Sequence, residues 1–207
     1  MKKVIAIIAG EPNSISSEII FKTWKSIKKN KKNTLIIIGS IDLLEIQKKR
    51  LKQRVKIEEI QSDFNVTKFK KNQMQVINVN FIQKKPFQKI SKKSNKYIFD
   101  CFDLAVNLIK HKKVYGLINC PIAKEKLFHK KYQGITEYIS NKFKSKGKEV
   151  MLLFNNNLSV SPLTTHIPLN KISKQITKKK IINNVKTINN FYFIYNLRFG
   201  YRFTYLV

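Results

Sequence analysis

Short apolar runs alternate with longer segments of mixed polarity along this chain. The runs are as long as a typical strand and are followed by turn residues, as expected for strands buried on both faces of a sheet. Val4–Ala9 is the clearest run, and Gly10-Glu11-Pro12 follows it. The pattern predicts strands over Val4–Ala9, Thr34–Ile38, Val55–Ile60, Gln75–Asn80, Val114–Asn119, Glu149–Phe154 and Leu158–Leu163.

The segments between these runs have the spacing of amphipathic helices. In Ser94–Lys110, apolar residues recur at steps of three and four from Ile98 to Ile109, so they line one helical face. Repeated alternation of strand and helix predicts a three-layer α/β/α fold with a mainly parallel sheet. The predicted helices are Ser14–Lys28, Ile41 to about Gln53, Ser94–Lys110, a short one from about Ala123, Thr136–Lys146 and Lys171–Asn189.

Composition places the chain among folded, non-membrane proteins. Of its 207 residues 43% are hydrophobic, which is enough for one substantial domain. No apolar run approaches the ~20 residues that span a bilayer, so we expect no membrane partner. Cys101 and Cys120 form no Cys-x-x-Cys pair and no disulfide framework. A reducing cytoplasm is therefore the predicted location.

The net charge of +30 is the feature that most invites a nucleic-acid interpretation. The positive charge is nearly all lysine and is spread over the whole chain. Arginine, which makes the bidentate contacts to phosphates and bases, occurs only at positions 50, 54, 198 and 202. Abundant Lys, Asn and Ile together are typical of AT-rich coding sequence. We therefore predict no specific nucleic-acid partner.

Four short segments carry the candidate chemistry. Three directly follow a predicted strand, where ligands of α/β proteins bind, and Gly134–Tyr138 opens a predicted helix. The three loops are Gly10–Glu18, Asn119–Glu125 and Thr164–Leu169. The chain has neither a Gly-x-Gly-x-x-Gly fingerprint nor a Walker loop.

His166 is the residue of greatest interest in the third loop. Thr164 and Thr165 precede it and Pro168 follows it, and these residue types restrict the backbone and would aim the imidazole. A histidine at the end of a strand can bind a metal or substrate. The alternative is a structural histidine with no ligand.

In this order and spacing, the four segments resemble the 4-hydroxythreonine-4-phosphate dehydrogenase family of vitamin B6 biosynthesis. Its pattern runs Gly-Glu/Asp-Pro, Pro-x-x-Lys, Gly-His-Thr-Glu-Phe and Thr-Thr-His-Leu-Pro-Leu. The resemblance implies a fold like that of isocitrate and isopropylmalate dehydrogenases and a homodimer. It also implies NAD or NADP, a divalent metal (Zn, Mg or Co) and a small phosphorylated substrate.

The resemblance assigns three residues of this chain to a site. His166 matches the first of three metal-binding histidines, and Thr136 matches a threonine at the substrate phosphate. Lys124 matches the lysine of the Pro-x-x-Lys loop, which would pair with an anion. The resemblance assigns no role to His111 or His129, which neighbour lysines and are expected to be exposed.

Departures from the family pattern limit this assignment. Ile135 replaces the family histidine before the phosphate-site threonine, and it cannot donate a hydrogen bond. The two later motifs that carry the other metal histidines are missing. The resemblance fades near Asn190, where an aromatic segment, Phe191–Val207, begins. We expect residues 1–190 to form the amino-terminal portion of the dehydrogenase fold and 191–207 to be an aberrant, frameshifted or truncated tail. A β-hairpin and a membrane-surface segment are the other interpretations of that tail.

Three functions are therefore compared. The first is a dehydrogenase of the B6 pathway, inactive or weakly active as this chain. The second is a non-catalytic, basic α/β protein that binds phosphate or nucleic acid. The third is a decarboxylating or acyl-transferring relative with the same fold.

Overall fold

A single parallel sheet organises the first part of the molecule. The computed structural model describes residues 3–27, 34–128, 132, 134–145, 147–155, 158–165 and 167–194. Its five strands lie in the order β3-β4-β2-β1-β5, and all neighbours are parallel. The strands are β1 (Val4–Ile8), β2 (Thr34–Gly39), β3 (Lys56–Glu59), β4 (Gln73–Asn78) and β5 (Gly116–Asn119).

Seven α-helices follow or connect the strands in the described residues. They are α1 (Ser16–Ile27), α2 (Ile41–Arg50), α3 (Asn95–Lys110), α4 (Lys124–Phe128), α5 (Ile135–Lys142), α6 (Ile172–Gln175) and α7 (Lys178–Ile194). Single 3₁₀ turns occur at Val66–Lys68, Lys92–Ser94 and Leu169–Lys171.

The strand order determines which face each helix covers. From β1 the chain passes to β2 and on toward β3, and it later returns across β1 to reach β5. Because parallel crossovers are right-handed, opposite directions of travel put α1 and α2 on one face and α3 on the other. The predicted α/β fold with a parallel sheet is confirmed.

Alternate residues of the central strands fill the two layers. On one face, Ile7 and Ile37 pack in a cluster with Phe21 of α1 and Leu44 of α2. On the other face, Ile8 and its neighbours are covered on the α3 side, where Ile98, Cys101 and Phe102 are all buried. Burial on both faces explains why β1 and β2 are continuous apolar runs rather than alternating ones.

The chain divides into two compact units, Met1–Ile135 and Thr136–Val207. The first contains the whole sheet. In the second, the predicted strands Glu149–Phe154 and Leu158–Leu163 are wrong, because among the described residues they form only an isolated antiparallel bridge, between Leu153 and Val160. The apolar side chains of these segments are largely exposed, Leu153 at 55% and Leu158 at 70%. Their apolar pattern is that of a strand, but within the described residues they do not join the sheet.

The helices of the second unit differ from prediction at their ends. The helix predicted over Thr136–Lys146 begins at Ile135 and ends at Lys142, and Lys144 adopts a positive φ of 55° that stops it. The helix predicted over Lys171–Asn189 is split into α6 and α7.

The proposed boundary at residue 190 falls inside α7, which continues without a break to Ile194. Tyr192 is buried, and its hydroxyl donates a 2.9 Å hydrogen bond to Ser159 Oγ. The first residues of the aromatic segment are therefore helical, and Tyr192 among them is packed. Residues 195–207 lie outside the described residues, so their assignment as an aberrant tail stays a prediction. No helix in the described ranges has both the length and the apolar character that crossing a bilayer requires.

Candidate functional site

The strand order creates a crevice at the carboxyl ends of β1 and β5. The chain leaves β1 toward one edge of the sheet and returns to β5 on the other side, so the switch point lies between these strands. Ligands of open α/β sheets bind at such a point. Two of the predicted loops begin here, Gly10–Glu18 after β1 and Asn119–Glu125 after β5.

The two loops are in direct contact. The backbone N–H of Glu11 donates a 2.9 Å hydrogen bond to the carbonyl oxygen of Pro121, and Ser16 Oγ donates to the same oxygen at 3.3 Å. Gly10 has a φ of +72°, and a Cβ there would lie 2.6 Å from Pro121 O. The close approach therefore requires glycine at position 10.

The Glu11 carboxylate is buried behind this contact, with 1% of the residue exposed. Its Oε2 accepts a 2.9 Å hydrogen bond from Ser94 Oγ just before α3, and its Oε1 accepts one from Asn13 N–H at 3.2 Å. Buried carboxylates need such donors because burial without them costs several kcal/mol. Glu11 thus joins the β1 loop to the start of α3.

Amide side chains hold the rest of the β1 loop. Asn13 Oδ1 accepts hydrogen bonds from Gln83 Nε2 at 2.9 Å and from Gln88 N–H at 2.8 Å. Gln47 Nε2 donates to Pro12 O at 2.7 Å and to Pro86 O at 2.9 Å. Sequence reasoning missed this network, because no local signal pairs residues so far apart in the chain.

Ser40, directly after β2, supports the same end of the sheet. Its Oγ accepts from Leu43 N–H at 3.3 Å and so caps α2, while its N–H donates to Tyr97 Oη at 3.1 Å. Burial, reinforced by the nearby Cys101, raises the pKa of Tyr97 well above its usual value. Tyr97 is therefore a neutral structural hydrogen-bonding group at physiological pH.

Neither cysteine has the properties of a nucleophile. Burial raises the pKa of Cys101 to about 12 and that of Cys120, in the loop after β5, to about 11. A thiol reacts as its thiolate, and these values leave almost none near neutral pH. Thiolate catalysis is therefore not expected from either group.

The predicted site residues fall in different places. Lys124 is exposed at the first residue of α4, three residues after Pro121, and so lies at the switch point. Thr136 is exposed in the first turn of α5, and because that helix begins at Ile135, Thr136 is not the residue that precedes it as a cap. Lys124 belongs to the first unit and Thr136 to the second.

Only one of the three histidines lies among the described residues. His166 and His129 lie outside the described residues. His111 is exposed at the end of α3, with its Nδ1 2.9 Å from Asn107 O, as expected for a residue without a ligand role.

A metal site is not assembled by the residues that the structure describes. Within those ranges, no three His, Cys, Asp or Glu side chains lie close enough together to hold an ion. Catalytic metals are usually held by about three protein ligands. The divalent metal implied by the family resemblance therefore does not fit the described side chains as they stand.

The molecule is thus a parallel α/β protein whose two motif loops meet at the switch point of its sheet. A sequence model of the family described as "Pyridoxal phosphate biosynthetic protein PdxA" matches residues 31–194. The chain belongs to this family.

Curated relatives carry the name that the motifs suggested. A 4-hydroxythreonine-4-phosphate dehydrogenase from Sulfurihydrogenibium sp. is 34% identical over 186 residues, which are 89% of this chain and 56% of the relative. One from Aquifex aeolicus is 29% identical and is covered to 57%. The chain thus spans about half the length of the curated relatives it matches.

Solved structures agree on the fold. A 4-hydroxythreonine-4-phosphate dehydrogenase from Burkholderia phymatum superposes with a TM-score of 0.80 at 22% identity, over 92% of this chain and 58% of that one. A protein from Salmonella typhimurium, whose assignment to the same activity is provisional, gives a TM-score of 0.78, also at 22% identity. Identities this low support the shared fold and no finer statement.

Proposed function

We propose that this chain carries part of the active site of a 4-hydroxythreonine-4-phosphate dehydrogenase acting in pyridoxine 5'-phosphate biosynthesis. The reaction is oxidation of 4-phosphohydroxy-L-threonine at its hydroxyl, dependent on NAD or NADP and on a divalent metal. A bound NAD or NADP would supply the acceptor for the hydride from the carbon that bears the hydroxyl, the hydroxyl proton would pass to solvent, and the resulting 3-oxo acid would lose carbon dioxide.

The observation that carries the proposal is the contact between the two motif loops at the switch point. The backbone nitrogen of Glu11 and the carbonyl oxygen of Pro121 lie 2.9 Å apart, so the Gly-Glu-Pro and Pro-x-x-Lys segments are in direct contact. A family site built from these segments requires them to be adjacent. Family membership and the names of the relatives point to the same activity.

Lys124 is proposed to bind an anionic group of the substrate. Its side chain is exposed at the start of α4, and an ammonium beside a phosphate or carboxylate makes a charge-assisted hydrogen bond. Thr136 is proposed to contribute a hydroxyl to the phosphate site. Its position in the first turn of α5 places it beside backbone N–H groups that have no partner within the helix.

His166 is the proposed metal ligand of this chain. One imidazole does not hold a catalytic ion tightly, because such ions need about three protein ligands. We therefore expect the 207-residue chain by itself to be inactive or weakly active. Assembly as a homodimer, as in the family, is part of the same proposal. So is a cytoplasmic location, which the two free, buried cysteines support.

The test is an assay of NADH formation from 4-phosphohydroxy-L-threonine with added zinc, cobalt or magnesium. We expect little turnover by the 207-residue chain. We expect metal-dependent turnover when it is fused to the carboxyl-terminal part of the Sulfurihydrogenibium relative, and its loss in the fused His166→Ala variant. Robust turnover by the 207-residue chain alone would show that the metal ligands are misassigned. An inactive fusion that folds and binds metal would contradict the proposed activity.

A further inference from the structure

A small cavity lies directly behind the β1 loop, inside the first unit. It has a volume of about 10 Å³, which is close to the least that holds one water molecule. Its wall combines the loop itself with α1, α2 and α3. The polar residues that line it include Glu11, Ser17, Gln47 and Tyr97.

The hydroxyl of Ser17 is the first observation that indicates a bound molecule in this cavity. The residue is 4% exposed, and its Oγ has no hydrogen-bond partner within the described part of the chain. Ser17 lies in the first turn of α1, a twelve-residue helix. Nearly all buried hydroxyls in proteins are hydrogen-bonded, so one without a partner requires an explanation.

Gln47 supplies a complementary acceptor. Both hydrogen bonds that its side chain makes come from Nε2, to Pro12 O and Pro86 O. The amide nitrogen has two protons, so its donors are fully used and its Oε1 remains as an acceptor. The Glu11 carboxylate, with 1% of the residue exposed, adds further lone pairs on the same wall.

We propose that one ordered water molecule occupies this cavity as a permanent part of the fold. It hydrogen-bonds to the Ser17 hydroxyl and donates to acceptors of the wall, with Gln47 Oε1 and the Glu11 carboxylate as the candidates. A volume of about 10 Å³ matches one water molecule rather than a larger group. The water links the first turn of α1 to α2 and the β1 loop, and so helps to hold Gly10–Asn13 in place at the switch point.

The change in stability on removing the Ser17 hydroxyl has opposite signs in the two cases. A hydroxyl that is hydrogen-bonded to a water stabilises the fold, whereas a buried hydroxyl without a partner destabilises it. Ser17→Ala removes the hydroxyl, and Ser26→Ala makes the same change at an exposed position of the same helix. Both make the same serine-to-alanine change within one helix, so Ser26→Ala corrects for the gain in helix propensity and the remaining difference reports the surroundings of Ser17. If the water is bound, we expect the folded-to-unfolded ratio of Ser17→Ala to fall about threefold to tenfold below that of Ser26→Ala. A Ser17→Ala variant at least as stable as Ser26→Ala overturns the proposal, since removing an unsatisfied hydroxyl should stabilise.

A direct observation makes the test independent of stability. In a high-resolution crystal structure of the 207-residue chain, we expect one solvent peak within hydrogen-bond distance of Ser17 Oγ. The peak should be lost or weakened in Ser17→Ala. A cavity without density, or a peak with the short, multiple oxygen contacts of a metal cation, contradicts an ordered water.

Discussion

The backbone N–H of Glu11 lies 2.9 Å from the carbonyl oxygen of Pro121 and donates a hydrogen bond to it. This bond joins the loop after the central strand β1 to the loop after the edge strand β5. Neither side chain takes part, so the geometry depends on how closely the two backbones approach. That closeness depends in turn on Gly10, which has no Cβ to collide with Pro121 O.

Gly10→Ala should therefore destabilise the fold by about 2–4 kcal/mol, since it adds a backbone clash to the strain of a positive φ. A Cβ at position 10 would meet Pro121 O at 2.6 Å and Cys120 O at 2.9 Å. Denaturant unfolding followed by circular dichroism measures the change.

Two other glycines serve as controls for this substitution. Gly147 has a φ of +79°, and a Cβ at that position would meet nothing within 4 Å, so Gly147→Ala reports the cost of the backbone conformation alone, about 1 kcal/mol. Gly116 also has open space around it, and Gly116→Ala should change stability by less than about 1 kcal/mol. If Gly10→Ala costs no more than Gly147→Ala, the two loops do not approach as described.

Thr136→Val should weaken the binding of a phosphorylated ligand and leave the melting temperature nearly unchanged. Thr136 is exposed, so the methyl-for-hydroxyl exchange disturbs no packing, while it removes a hydroxyl from the proposed phosphate site. Isothermal titration calorimetry with 4-phosphohydroxy-L-threonine measures the affinity. The loss of one hydrogen bond to a charged group predicts a decrease of about tenfold or more.

Thr187→Val is the matched control, because Thr187 is also exposed on a helix of the second unit. It should leave the affinity unchanged. Equal affinities for the Thr136 and Thr187 variants would remove Thr136 from the site.

Duplex DNA should bind only weakly and without sequence preference at physiological salt, despite the net charge of +30. Contacts from dispersed lysines release counterions but do not distinguish bases, so the affinity should fall steeply as salt is raised. Fluorescence anisotropy with random and defined duplexes measures both properties. Sub-micromolar, sequence-selective binding would instead favour a dedicated nucleic-acid function.

The free energy of unfolding should also depend on pH through the ionisation of Glu149. Burial by itself raises the pKa of this carboxyl, but hydrogen bonds from Ser140 Oγ and from the local backbone outweigh it and lower the pKa below its usual value. Ser140 Oγ lies 2.7 Å from Glu149 Oε2. A pKa that is lower in the folded state stabilises the protein above the unfolded pKa, and the contribution is lost as pH falls through the folded pKa.

Ser140→Ala should therefore destabilise the chain more at about pH 7 than at an acidic pH that protonates Glu149 in the folded state. Denaturant unfolding at both pH values measures this difference. Ser173→Ala, at an exposed position of α6, should show no such dependence. A Ser140→Ala effect that is the same at both pH values would mean that the hydrogen bond does not favour the carboxylate.

Within the candidate site, the sequence identified the segments but not the contacts between them. The sequence pattern places the Gly-Glu-Pro and Pro-x-x-Lys loops directly after strands, and the fold brings the two loops together. The hydrogen bonds of Glu11 with Ser94, and of Asn13 with Gln83, join residues that are far apart in the chain. Such pairings depend on how strands and helices pack, and no local pattern encodes them.

The same division separates the elements that were predicted well from those that were not. β1, β2 and α3 were predicted to within one or two residues, because their apolar spacing is a local property that matches the period of a strand or a helix. The segments 149–154 and 158–163 have a similar apolar pattern, yet in the described part of the chain they pair only at Leu153 and Val160. A strand needs a neighbour to satisfy its backbone and a layer to cover its side chains.

The sequence by itself therefore determined the alternating α/β pattern and the family motifs. Only the tertiary structure decided which apolar runs pair into the sheet and which loops meet at its switch point.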